Sequence, residues 1–219
     1  PCNFLHSSKI ARSAESCSHT AATTSFCRQN CNLPGTYSNT DAPMQDLTRS
    51  MMSAWNTAAA TSMHSMFRGA SGFNRPIFQQ TPLVTTFEAM FQGAAAFNQS
   101  LAAWNVARVQ SMHETFYAAS SFNGSLASWV TSELTDMYGM FQYATSFDRD
   151  LSSFDTSGVT TMVRAFRGAA SFDRALSSWD TSEVTSMRGM FRGASSFRGD
   201  VSSWETGKVA SMYRMFSEA

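Results

Sequence analysis

Phe residues recur at 67, 91, 116, 141, 166, 191 and 216, each three places before an Ala, with one interval of 24 residues and five of 25. A period of that length marks a tandem array. Each unit is one supersecondary element that buries its apolar face only against its neighbours. The core of such a chain lies between repeats, and its function is to be sought on the surface.

One unit runs from Val184 through Met187, Met190, Phe191, Ala194, Phe197 and Val201 to Trp204 and Gly207. At about 100° per residue, Val184, Met187, Met190 and Phe191 share one stripe, which predicts a short amphipathic helix. Asp180, Thr181 and Ser182 are N-cap candidates before it, with Glu183 three places after Asp180, and Gly193 fits its stop. The stretch Val201 to Trp204 predicts one brief strand per repeat, and strands repeated in one direction imply a parallel sheet with right-handed crossovers. The expected architecture is an α/β solenoid.

Columns across the repeats show what packing dictates. The aliphatic column is Ile77, Leu101, Leu126, Leu151, Leu176 and Val201, and the aromatic column is Trp55, Trp104, Trp129, Phe154, Trp179 and Trp204, with Gln80 as its gap. A second Phe column runs 73, 97, 122, 147, 172 and 197, beside an Ala column from Ala70 to Ala219 whose small side chains imply close backbone approach. The pattern from Val184 to Thr206 closely resembles the BspA-like leucine-rich repeats also known from mycoplasma surface lipoproteins, over about Met44 to Ala219. That resemblance implies a leucine-rich-repeat-like fold over 44–219 with an incomplete last repeat. It also implies a secreted or surface-exposed protein with a role in binding or adhesion. The repeat from Phe73 to Phe91 departs from the pattern: it is one residue short and holds Pro76 and Pro82, so a bend is expected there.

All four cysteines, Cys2, Cys17, Cys27 and Cys31, precede the repeats. Their even number in a short apolar-poor segment favours two disulfides over a zinc site, and a stapled cap over residues 1–43, with an oxidising compartment to match. Acidic and basic residues balance at 16 each, which argues against nucleic acid or an anionic membrane as partner. No apolar run reaches the length of a membrane span. The last helix, Val209 to Phe216, has no following strand, so Met212, Met215 and Phe216 form an edge expected to meet further repeats, a partner or another copy.

No catalytic constellation or cofactor fingerprint stands out from the repeat, and neither enzyme activity nor a cofactor is expected. His64 and His113 share a column two repeats apart, too far for one metal ion. Two Asn/Asp columns, Asn56, Asn105, Asp155, Asp180 with Glu205, and Asn74, Asn98, Asn123, Asp148 with Asp173, read as turn-forming side chains, with calcium binding as the rival. Asn98 and Asn123 also match the glycosylation acceptor pattern. Arg makes up nearly all the basic residues, and Arg68, Arg167 and Arg192 share one column while Arg75, Arg149 and Arg174 share another. These are the candidate interface residues for a protein partner or a larger assembly. The alternative function is a structural or surface-coating role, with the column Thr131, Thr156, Thr181 and Thr206 facing a repetitive ligand.

Overall fold

The computed structural model describes residues 57–77 and 81–219. The repeats do stack one on the next, but the expected α/β solenoid does not form. Among the described residues there is no helix, and the only β pairing is a file of isolated parallel bridges joining Ser62, Thr86, Ser111, Asp136, Thr161, Ser186 and Ser211. The cysteines and the cap expected over 1–43 lie outside the described residues, so the disulfide reading finds no support here.

Each repeat forms one rung built of turns. In the rung of Phe67, the N–H groups of Met63, Ser65, Phe67 and Gly69 donate to the carbonyls of Thr86, Glu88, Met90 and Gln92 in the next rung, at 2.7 to 3.1 Å. The N–H groups between them, on Met66, Arg68 and Ala70, donate back to Met63, Ser65 and Phe67. Alternate amides therefore serve the neighbour and the local turn, and both kinds of bond recur up the stack. A helix would direct them all inward, four residues back. The third residue of alternate turns takes a left-handed φ, as in Ser65 (55°) and Gly69 (71°) or Gly189 (60°) and Gly193 (72°), which is the requirement of a type II turn.

The same residues explain why turns take the place of the expected helix. Turns that repeat every two residues also send Val184, Met187, Met190 and Phe191 inward, all with no exposed surface, so the apolar spacing reported burial without reporting a helix. A neighbouring rung offering carbonyls in register tips the balance towards stacked turns, and among the described residues glycine eases six of the left-handed positions while eight other residues adopt the same φ. The strand was also misplaced: Val201 to Trp204 is a turn closed by the Trp204 N–H on the Val201 carbonyl, and the bridges fall at the expected helix start.

The core consists of two files of parallel rings. Neighbouring rings of the first Phe column lie 5.4 to 5.6 Å apart from Phe67 to Phe216. The second column keeps 5.8 to 5.9 Å, and within a rung the two rings meet face to face, as Phe141 and Phe147 do at 3.9 Å. The Trp column closes one side: Trp129, Trp179 and Trp204 donate their indole N–H to the carbonyls of Leu101, Leu151 and Leu176 in the rung before, so a large apolar ring is buried without an orphaned donor. Phe197 and Trp204 are partly buried, whereas Phe172 and Trp179 one rung earlier are buried. The short repeat causes no break in the ring files. Phe67 to Phe91 measures 5.5 Å like the rest, because the missing residue falls in sequence between Ile77 and Thr81, outside the stretch that carries Phe67 and Phe73.

Candidate functional site

Several columns that suggested ligand contact are spent on holding rung to rung. Thr131, Thr156 and Thr181 are buried and donate their hydroxyls to the carbonyls of Asp155, Asp180 and Glu205 in the next rung, at 2.8 to 2.9 Å. Thr206 is exposed. The Oδ1 atoms of Asn74, Asn98, Asn123, Asp148 and Asp173 each accept the backbone N–H of the equivalent residue one rung on, ending at Arg198. Asn105, Asp155 and Asp180 each accept the N–H two residues ahead, closing local turns. Among the described residues no group of three or more His, Asp or Glu is placed to hold a metal ion. His64 lies 3.7 Å from Glu88, and His113 lies 3.3 Å from Asp136 with its ring stacked on Tyr138.

Asp148 is the most heavily used carboxylate. Burial by itself raises its carboxyl, but the bidentate hydrogen bonds from Arg174 at 2.6 and 2.8 Å, the Asp173 N–H and the nearby Arg149 outweigh it and hold the group below its ordinary 3.8. Asp150, Asp180 and Asp200 are lowered in the same direction by the N–H and hydroxyl of Ser152, Ser182 and Ser202. A carboxyl lowered by folding stabilises the folded chain above its unfolded value, and that contribution disappears as the pH falls through the folded value. Acid should therefore weaken the stack below about pH 4. Asp148→Asn, which keeps the acceptor for Asp173 but loses the Arg174 pair, should cost about 0.2–1 kcal/mol at neutral pH and flatten the acid limb of a pH-stability profile. A limb as steep as the parent's would show that Asp148 does not carry it.

The surface over the paired turns has a different character, because its side chains change from rung to rung while the core beneath does not. In the rungs of Phe166, Phe191 and Phe216 it presents Arg164, Arg167, Arg188, Arg192 and Arg214 against a single carboxylate, Glu218, which lies 3.1 Å from Arg192. Backbone pairing sets them side by side: the Arg164 N–H donates to the Arg188 carbonyl, and Gly189 N–H to the Tyr213 carbonyl. Gly189 leaves a floor between two of them, since a Cβ there would lie 3.9 Å from both Arg164 Cγ and Arg192 Cβ. Tyrosines organise the rest. Arg164 donates to the Tyr138 hydroxyl at 3.1 Å, Arg167 lies 5.5 Å over the Tyr143 ring, and Arg188 and Arg214 lie 5.4 and 5.1 Å from the Tyr213 ring. Tyr143 in turn packs edge-on against Tyr117 at 5.8 Å.

Next to this face, an open groove of about 560 Å³ is lined by Arg68, Gly69, Gln92, Gly93, Glu114, Tyr117, Gln142 and Arg164. Gln92 donates to Glu114 at 2.5 Å across two rungs. Gln142 is 3% exposed, and its Oε1 has no hydrogen-bond partner. An acceptor buried without a donor costs about 1–3 kcal/mol relative to its hydrated state. Gln142→Met keeps the length of the side chain and removes the acceptor, so it should raise the unfolding free energy by about 1 kcal/mol. A loss on denaturant titration would mean that the amide is satisfied in solution.

Of the candidate interface residues, Arg167 and Arg192 come together on the Arg–Tyr face, while Arg68 lines the groove. Arg149 and Arg174 are spent on turns, donating to the Asn123 carbonyl at 2.7 Å and to Asp148; Arg75 lies exposed in the same column. Met212 and Phe216 are 43% and 47% exposed, but Met215 is 7% exposed and belongs to the core. Arg164, Arg188 and Arg214 were not singled out from the sequence, nor were Tyr138, Tyr143 and Tyr213. Arg164 and Arg214 share a column, and that recurrence was the signal available; the helix expected there gives no reason to place Arg164 beside Arg188, as the paired rungs do.

The protein family described as "Mycoplasma protein of unknown function, DUF285" matches residues 36–154 and 125–219. No curated protein and no solved structure matches the chain. Among the described residues no helix is long and apolar enough to cross a membrane.

Proposed function

We infer that this chain, which belongs to the DUF285 family of mycoplasma proteins, is a non-enzymatic protein-binding module that serves as a cell-surface adhesion element or as a scaffold subunit of a larger assembly. The observation that carries the reading is the Arg–Tyr face. Tyr and Arg, with Trp, are the side chains enriched at the energetic centres of protein interfaces, and here they vary from rung to rung over a constant core, as recognition of a specific partner requires. The resemblance of the repeat to BspA-like proteins supports a location outside the cell. The surface-coating alternative draws on regular hydroxyl columns, and Thr131, Thr156 and Thr181 are turned to the next rung.

A photocrosslinking amino acid at Arg188 in the full chain, compared with one at the exposed Ala127, tests the reading in intact cells of the source organism. A protein adduct from position 188 and none from 127 is the expected result. No protein adduct from 188 would overturn it.

A further inference from the structure

We propose that the partner's contact segment is rich in carboxylates and seats on Arg164, Arg167, Arg188, Arg192 and Arg214; this rests on the protein-binding reading above. The chain as a whole is neutral, yet this face gathers five guanidinium groups with one carboxylate, so charge is sorted by position. A guanidinium fork matches a carboxylate in two parallel hydrogen bonds. Several of these forks are already held: Arg164 by the Tyr138 hydroxyl, Arg188 and Arg214 by the Tyr213 ring, and Arg167 by the Tyr143 ring. Side chains fixed in this way lose less rotamer freedom on binding. Adjacent rungs follow at about the 4.8 Å spacing of paired backbones, so a short acidic segment lying along the stack meets a fresh Arg at each rung.

The rungs that precede the face favour this occupant over a long polyanion. In the preceding rungs the same surface carries Glu88, Glu114 and Asp136, which would repel a phosphate backbone continuing along the stack. Those carboxylates already have partners in His64, Gln92 and His113, so they are not free to seat on the Arg face of a second copy.

The test uses the full chain and a fluorescent peptide of alternating Glu and Ser, read by anisotropy at low and at physiological salt. Binding should weaken as salt rises, and should fall about tenfold or more for a Gln–Ser peptide and for the double variant Arg188→Gln/Arg192→Gln. The double variant Arg75→Gln/Arg149→Gln should bind as the parent does, and thermal melts of both should show that they fold. Equal affinity of the Gln–Ser peptide, or undiminished binding by Arg188→Gln/Arg192→Gln, would overturn the proposal. So would tighter binding of a single-stranded oligonucleotide or of phosphatidylserine vesicles, or self-association through this face in sedimentation. A crosslinked protein partner at position 188 lacking any acidic segment would sink this proposal and leave the protein-binding reading standing. Absence of any protein adduct would sink both.

Discussion

Replacing Phe141 by Ala should lower the unfolding free energy by about 3–5 kcal/mol, the range for removing a large buried aromatic side chain. Phe141 has no exposed surface and touches rings on three sides: Phe116 at 5.5 Å, Phe166 at 5.4 Å and Phe147 at 3.9 Å. The surrounding rungs are tied by backbone hydrogen bonds and cannot collapse into the space, so the cavity term adds to the lost transfer energy. Because stability in a stacked array is a sum of rung and nearest-neighbour terms, the lesion should also split unfolding into separate transitions for the rungs on either side. A single transition displaced by less than about 1 kcal/mol would show that the ring files are not the principal support of the stack.

Ala169→Leu should cost about 1–3 kcal/mol by the opposite mechanism. Ala169 is fully buried, in a column with the equally buried Ala144 and Ala194 of the adjoining rungs, and its backbone closes two successive turns, on Phe166 and to Phe172. A longer side chain must push rungs apart or leave its rotamer well. Ala170→Leu, at the half-buried neighbouring position, serves as the comparison and should leave the denaturation midpoint nearly unchanged. Equal midpoints for the two variants would refute tight stacking at the Ala column.

The repeat period, the ring files, the Ala column and the burial of the Met and Trp positions were legible because each rung must match its neighbour, and matching writes itself into the sequence as columns. Secondary structure was not legible in the same way. The spacing of Val184, Met187, Met190 and Phe191 satisfies a helix and a run of turns equally well, and the deciding information lies in where the amides of Met187 and Gly189 go, to the carbonyls of Ser211 and Tyr213 in another rung. The left-handed φ of Glu114, Tyr143 and Arg164 carries no local signature, since nothing in those side chains favours it. The candidate site was half legible for a related reason. Arg167 and Arg192 stood out by column, whereas the link from Arg164 to Tyr138 depends on the geometry of the rungs.

The one-residue shortening between Ile77 and Thr81 has a consequence for how such chains diversify. Phe67 and Phe73 still stack on Phe91 and Phe97 at the usual distances, and the Thr81 hydroxyl still reaches the Asn105 carbonyl at 2.6 Å. Length can therefore change between Ile77 and Thr81 in the sequence without a frameshift in either ring file. A residue added or removed between Ile77 and Thr81 should leave the stacking of Phe67 and Phe73 on Phe91 and Phe97 as it is, so repeats of this kind can drift in length without losing their core.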